Sequence, residues 1–167
     1  EENDYLLINY CKGHIGTASG PSHHMLTTNI PSLYINWYPF DLSSKNDFCV
    51  LVPKILKNLN DNKYFSLNKL GTIKPRVLYD GILRINDKKK FTFIDNSIDE
   101  IENSVINFLK NLKNKKWKNY GKKFIIKEKN YDFHGIKKNL DKKILLKRKK
   151  VFFDPYFVKK YKNSYLN

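Results

Sequence analysis

Apolar positions along this chain change their period several times, and each change marks an element. In NDYLLINY, residues 3–10, Leu6, Leu7 and Tyr10 share one side of a short helical segment for which Asp4 is the cap. CKGHIGT then reads as a short strand, followed by an uncharged turn of small residues, ASGPS. Pro21 suits a first helical position, where its missing N–H would have no partner, so a helix is predicted from Pro21 to about Thr28, closed by Asn29. Leu33, Tyr34 and Ile35 stand in a continuous apolar run between Pro31 and Pro39, the pattern of a strand buried on both faces. Strand, glycine turn, helix and strand make a βαβ unit. Such units build parallel sheets flanked by helices, so the fold class expected is α/β and Rossmann-like.

Beyond that unit DLSSKND is a polar loop, and FCVLVPKIL is a short apolar run ended or kinked at Pro53. NLNDNKY reads as a turn, SLNKLGTI as one or two helical turns capped by Ser66, and residues 74–90 show no clear period. FTFI, residues 91–94, reads as a strand. Ser97 and Glu100 are spaced as a capping box, which is the whole of their expected role. Ile98, Ile101, Val105, Phe108, Leu109 and Leu112 then recur every three or four residues, predicting an amphipathic helix with that face against the core. Residues 113–150 are lysine-rich with scattered apolar positions and are expected to form a peripheral helix pair or loops. VFFDPYFVKKY is aromatic enough to dock back onto the body, broken in two at its Asp-Pro step. With no repeat and no linker, residues 1–167 are expected to be one domain.

Composition supports a core, with 41% hydrophobic and 14% aromatic residues. A net charge of +16 invites polyanions. Lysine and asparagine are abundant while arginine is scarce, as in a chain shaped by genomic base composition, and such lysines form a solvated surface. The charge comes with neither an aromatic-flanked basic motif nor Cys/His zinc spacing, so nucleic acid is not the expected partner. Cys11 and Cys49 sit in apolar settings and are expected to be reduced, buried thiols. No apolar run approaches bilayer length, and the first residues lack the basic and apolar parts of a secretion signal. A cytoplasmic protein is expected. The opening EENDYLLINYC already reads as part of a folded unit, so a longer polypeptide is also expected.

Candidate chemistry concentrates in the glycine turn. The first N–H groups of a helix lack partners within it, and the helix dipole adds about half a positive charge there. Gly20 lets a phosphate come close, Thr17, Ser19 and Ser22 offer hydroxyl donors, and His23 offers a ring N–H from the first helical turn. His24 lies about 100° further round a helix and cannot easily serve the same phosphate. Asn36, at the carboxyl end of the next strand, is placed to touch a sugar or ribose, or alternatively forms a turn ahead of Trp37. Neither a Walker loop nor a G-x-G-x-x-G dinucleotide turn occurs here, and no Asp-x-Asp metal motif does.

GTASGPSH resembles the diphosphate-binding turn of GT-B enzymes, in particular heptosyltransferases, and its Ser-Gly pair is similar to that of sugar-nucleotide 2-epimerases. Five elements in order, GTASGPS, PSLYINW, VPKIL, DNSIDEI and DPYFVKKY, resemble the carboxyl-terminal half of a family of bacterial surface-polysaccharide glycosyltransferases. The chain departs from that pattern at His24 and Met25, where small aliphatic residues are usual. The resemblance implies a donor-binding domain that holds a nucleotide-diphosphate sugar through Thr17, Ser19, Gly20, Ser22, His23 and Asn36, without cofactor or metal. It further implies an acceptor domain upstream and a glycan or lipid-linked acceptor, with transfer absent from the piece alone. Two alternatives stay open: an epimerase or hydrolase of the same architecture, and a basic module binding nucleic acid or anionic lipid. Surface lysines would also serve the first reading, by holding the enzyme at an anionic inner membrane face.

Overall fold

The computed structural model describes residues 8, 10–37, 48–66, 90–116, 120–129 and 146–166. Its elements run β1 (His14–Gly16), α1 (Gly20–Met25), β2 (Ser32–Trp37), β3 (Cys49–Pro53), β4 (Ile55–Asn58), β5 (Phe91–Ile94), α2 (Ile98–Lys113), β6 (Lys122–Lys129), β7 (Leu146–Phe153) and α3 (Pro155–Tyr161). Ile8 and Tyr10 are helical, as read from the sequence; the predicted turns between Ser66 and Ile73, and residues 74–89, lie outside the described residues.

A mixed α/β architecture results, built on a mostly parallel five-stranded sheet in the order β1-β2-β3-β7-β6. β1 pairs with β2, β2 with β3 and β3 with β7 in parallel, and β6 closes the order antiparallel to β7. The βαβ unit is as the apolar pattern predicts. β2 and β3 are the uninterrupted apolar runs, and their Leu33, Tyr34, Trp37, Leu51 and Val52 are fully buried. Each such side chain contributes about 1.5–3 kcal/mol relative to exposure.

β3 ends at Pro53, whose ring removes a ladder donor. The Lys54 amide still reaches the Trp37 carbonyl at 3.3 Å, and the chain then leaves for a second sheet in which β4 pairs antiparallel with β5. The predicted FTFI strand is therefore real but belongs to this smaller sheet.

α1 stops at Met25, earlier than the predicted end near Thr28. The Thr27 and Thr28 hydroxyls each donate at 2.8 Å to the carbonyl three residues back, at His24 and Met25. Those short polar side chains compete with continued helix for the same carbonyls. Met25, a departure from the resembled pattern, is a core residue.

α2 begins where predicted, with the capping box formed in both directions between Ser97 and Glu100. Its buried face differs from the sequence expectation. Glu100, Ser104 and Phe108 are buried, while Ile98 is 84% exposed and Leu109 50%. Helical periodicity alone turns Ile98 inward. The rotation is stabilised from α3, where the Tyr161 hydroxyl donates to Glu100 and Lys160 Nζ pairs with it at 2.9 Å.

Residues 113–150 require a larger correction. Their described part, 113–116, 120–129 and 146–150, is not the expected helix pair: it supplies the end of α2, β6 and most of β7, the two strands pairing from Lys122↔Phe153 to Lys129↔Leu146. Lysine favours helices in isolation, but a strand ladder satisfies backbone groups through a partner distant in sequence, which local composition does not show. The aromatic tail docks as expected, with Phe153, Phe157, Tyr161, Tyr165 and Leu166 joining the core. Asp154 divides it, capping α3 by accepting from the amides of Tyr156 at 2.8 Å and Phe157 at 3.1 Å. Its carboxylate also accepts from the buried Tyr120 hydroxyl. Both cysteines are free thiols, Cys49 buried and Cys11 half-buried. Among the described residues no helix is long and apolar enough to cross a membrane.

Candidate functional site

The carboxyl ends of β1, β2 and β3 lie along one edge of the sheet because these strands are parallel and adjacent. Neighbouring strands stand about 4.8 Å apart, so the residues leaving those ends are near neighbours in space. In open α/β sheets this edge is where ligands bind.

From β1 the chain passes through Thr17, Ala18, Ser19 and Gly20, all exposed, into α1. A Cβ built at Gly20 meets nothing within 4 Å, and its φ lies outside the left-handed region. Neither packing nor backbone conformation demands glycine at this position. What its missing side chain leaves is open approach to the turn.

Ser22 behaves differently from the other predicted donors. It is 3% exposed and looks inward: its hydroxyl accepts from Ser19 Oγ at 3.1 Å and lies 3.3 Å from His14 Nε2. Its carbonyl accepts from the Tyr34 hydroxyl at 3.0 Å. Ser22 thus anchors the turn to β1 and β2, while Thr17 and Ser19 are exposed residues, the Ser19 hydroxyl donating to Ser22. His23 lies in the first turn of α1. With six residues, α1 develops a smaller dipole than the sequence prediction implied, which shifts the weight toward backbone amides and hydroxyls.

His14 is the residue that sequence reasoning missed. It precedes Gly16 by two positions on β1, and residues so spaced share one face of a strand. A Cβ at Gly16 would lie 2.5 Å from both His14 Nε2 and Ser22 Oγ. Gly16 therefore makes the hollow in which the imidazole reaches Ser22, and the His-x-Gly spacing ahead of the turn was its signal. The ring also packs on Tyr34, with centroids 5.6 Å apart. Burial pushes the imidazole below its ordinary value, so it is neutral at pH 7.

Asn36 is committed to the fold. It adopts a left-handed conformation at φ 53°, at the point where the β2–β3 register shifts. Its amide donates to Asn96 Oδ1 at 2.6 Å, the Asn96 amide donates to Asn36 Oδ1 at 2.5 Å, and Asn96 Nδ2 donates to the Pro53 carbonyl at 2.9 Å. This reciprocal clasp draws the start of α2 to the same sheet edge. Of the two readings of Asn36, the turn-forming one describes its carbonyl oxygen.

Two helices therefore begin near this edge, and their electrostatics differ. α2 carries Asp99 and Glu100 in its first turn, so acidic side chains already answer its positive end. α1 has no acidic residue there. Glu100 is tied elsewhere: burial alone raises its pKa, but Tyr161, Lys160 and the Ser97 amide outweigh burial and hold the carboxyl below its ordinary value. The two helix starts thus differ in charge, the β1–α1 turn leading into a helix without acidic residues in its first turn and α2 beginning with two. Among the described residues no three His, Cys, Asp or Glu side chains are grouped as metal ligands. In comparisons with family models, curated proteins and solved structures, the chain matches none.

Proposed function

We propose that this chain is the donor-binding part of a glycosyltransferase of GT-B type, and that its β1–α1 turn holds the diphosphate of a nucleotide-diphosphate sugar. The observation that carries the reading is the turn itself. It leaves the carboxyl end of a parallel strand with exposed Thr17 and Ser19, a side-chain-free Gly20 with open space above it, and no acidic residue in the helix that follows. The mostly parallel sheet and the order of the five sequence elements support the same architecture.

In sugar transfer the bond between the anomeric carbon and the phosphate oxygen breaks, and negative charge grows on the departing diphosphate. Thr17, Ser19 and the amides beside Gly20 stabilise that charge on this reading, each donor contributing about 2–4 kcal/mol by analogy with oxyanion-hole deletions. Ser22 supports Ser19 from beneath. The acceptor, a surface glycan or its lipid-linked precursor, belongs to an upstream domain on the cytoplasmic side, with the lysine-rich surface resting against anionic lipid.

Calorimetric titration with UDP, GDP, ADP and CMP tests the proposal. One or more should bind weakly, and Ser19→Ala combined with Gly20→Ala should abolish the signal. Silence from all of them at millimolar concentration would overturn it. Affinity that ignores nucleotide identity, survives the double substitution and falls steeply with salt would instead favour a basic polyanion-binding module.

A further inference from the structure

Ser22 Oγ stands between Ser19 Oγ at 3.1 Å and His14 Nε2 at 3.3 Å. In such a row the direction of one hydrogen bond sets the direction of the next. With Nε2 bare, the chain runs inward: Ser19 donates to Ser22, Ser22 donates to the ring, and Ser19 turns only lone pairs outward. A phosphoryl oxygen arriving there meets no hydrogen. With a proton on Nε2 the chain runs outward, from ring to Ser22, from Ser22 to Ser19, and from Ser19 to whatever accepts.

We propose, on the reading that this turn receives a phosphoryl group, that His14 is a positioning residue of the seat, binding of the anion fixing a proton on Nε2 and reversing the chain so that the Ser19 hydroxyl donates to the anion. No bond between heavy atoms forms or breaks; an N–H bond forms at Nε2, with the Nδ1 proton released to solvent in tautomer exchange and kept in net uptake. The Nε2 proton comes from solvent, either by exchange of the neutral ring between its two tautomers or by net uptake of one proton.

The surroundings suit such a device. Ser22 is 3% exposed and its backbone is pinned by Tyr34, so its hydroxyl cannot easily turn to water. Gly16 leaves no room for a side chain between His14 and Ser22. On β2, Tyr34 is held protonated by burial, and behind it on β3 burial pushes the Cys49 thiol up to about 12. Lys12 is exposed on the approach to β1, and α1 carries His23 and His24. The chain lies in side chains of β1, the turn and the buried side of α1, and does not rest on the amides of so short a helix.

Sulfate, whose charge is constant across the neutral range, is the probe. The isotope-labelled 167-residue chain is titrated at constant pH, following the Ser19 and Gly20 amides and the nitrogen shifts of the His14 ring. The expected result is that Nε2 bears a proton at sulfate saturation. His14→Phe should weaken sulfate about tenfold or more, the loss of a hydrogen bond in a charge-assisted chain. His14→Gln, which keeps an N–H donor, should bind within a few-fold of the parent. A bare Nε2 at saturation overturns the proposal, as does equal weakening by both variants while both stay folded. Should sulfate leave the Ser19 and Gly20 amides unmoved, the diphosphate seat itself falls and this inference with it.

Discussion

Replacing Gly20 by alanine separates a ligand seat from any packing account of the turn. The added methyl meets nothing within 4 Å and the backbone is outside the left-handed region, so the fold does not resist it. Alanine narrows the unfolded ensemble, and stability should hold or rise by about 0.4–1 kcal/mol. The methyl does occupy the space through which a phosphoryl oxygen would reach the turn's amides. Losing one hydrogen bond to a charged group costs about 1.5–3 kcal/mol, which corresponds to nucleotide binding weaker by about 10- to 150-fold. Gly16→Ala gives the opposite pairing. Its Cβ would lie 2.5 Å from His14 Nε2 and from Ser22 Oγ, so both side chains must shift. Overpacking of this kind costs about 1–3 kcal/mol, here at the lower end because the half-buried imidazole has solvent to move into. Urea unfolding, read by the fluorescence of the buried Trp37, gives the stability arm, and calorimetric titration gives the binding arm. A Gly20→Ala chain that binds nucleotide as tightly as the parent would refute the reasoning, because the open space would then face nothing that a ligand uses.

Three further predictions concern the frame around the site. Glu100 has its carboxyl held below the ordinary 4.5, so it stabilises the fold above that value and this contribution is lost as pH falls through the lower folded value; acid unfolding of Glu100→Gln should lack that segment of the pH dependence. Asn96→Ala leaves the amide of Asn36, a residue with φ 53°, and the Pro53 carbonyl without their partner, and should cost about 1–3 kcal/mol by urea unfolding. Asp154→Ala removes the α3 cap and the partner of the Tyr120 hydroxyl together, for about 2–4 kcal/mol; in a double-mutant cycle with Tyr120→Phe the two losses should fall short of additivity by at least about 0.5 kcal/mol.

What could be read from the sequence follows the distance between partners. The βαβ unit, the Ser97–Glu100 box and the Asp-Pro break are each specified within a few residues, so local chemistry revealed them. The glycine turn between β1 and α1 was legible for the same reason, apart from the contact of His14 with Ser22, which depends on Gly16 being hollow and Ser22 being turned inward. The failures are non-local. Asn36 meets Asn96 across sixty residues of chain, and Glu100 meets Tyr161 across sixty-one, so neither partner is visible in a window around either residue. β6 and β7 are strands because each supplies the other's ladder.

The rotation of α2 shows how one such contact overrides a clear local signal. A hydrophobic stripe turns Ile98 inward at a gain of about 1.5–3 kcal/mol. Burying a carboxylate in its place costs several kcal/mol unless that charge is paired. Here Lys160, the Tyr161 hydroxyl and the Ser97 amide all meet Glu100, and Lys160 keeps part of its surface in water, which reduces the desolvation it suffers. The pairing comes with Phe108 and Ser104 on the same face, since residues four apart along a helix align with Glu100. The stripe loses Ile98 and keeps Phe108. Because α2 starts immediately after the Asn96 clasp, this choice also turns Glu100 of its acidic first turn toward Lys160 and Tyr161 of α3.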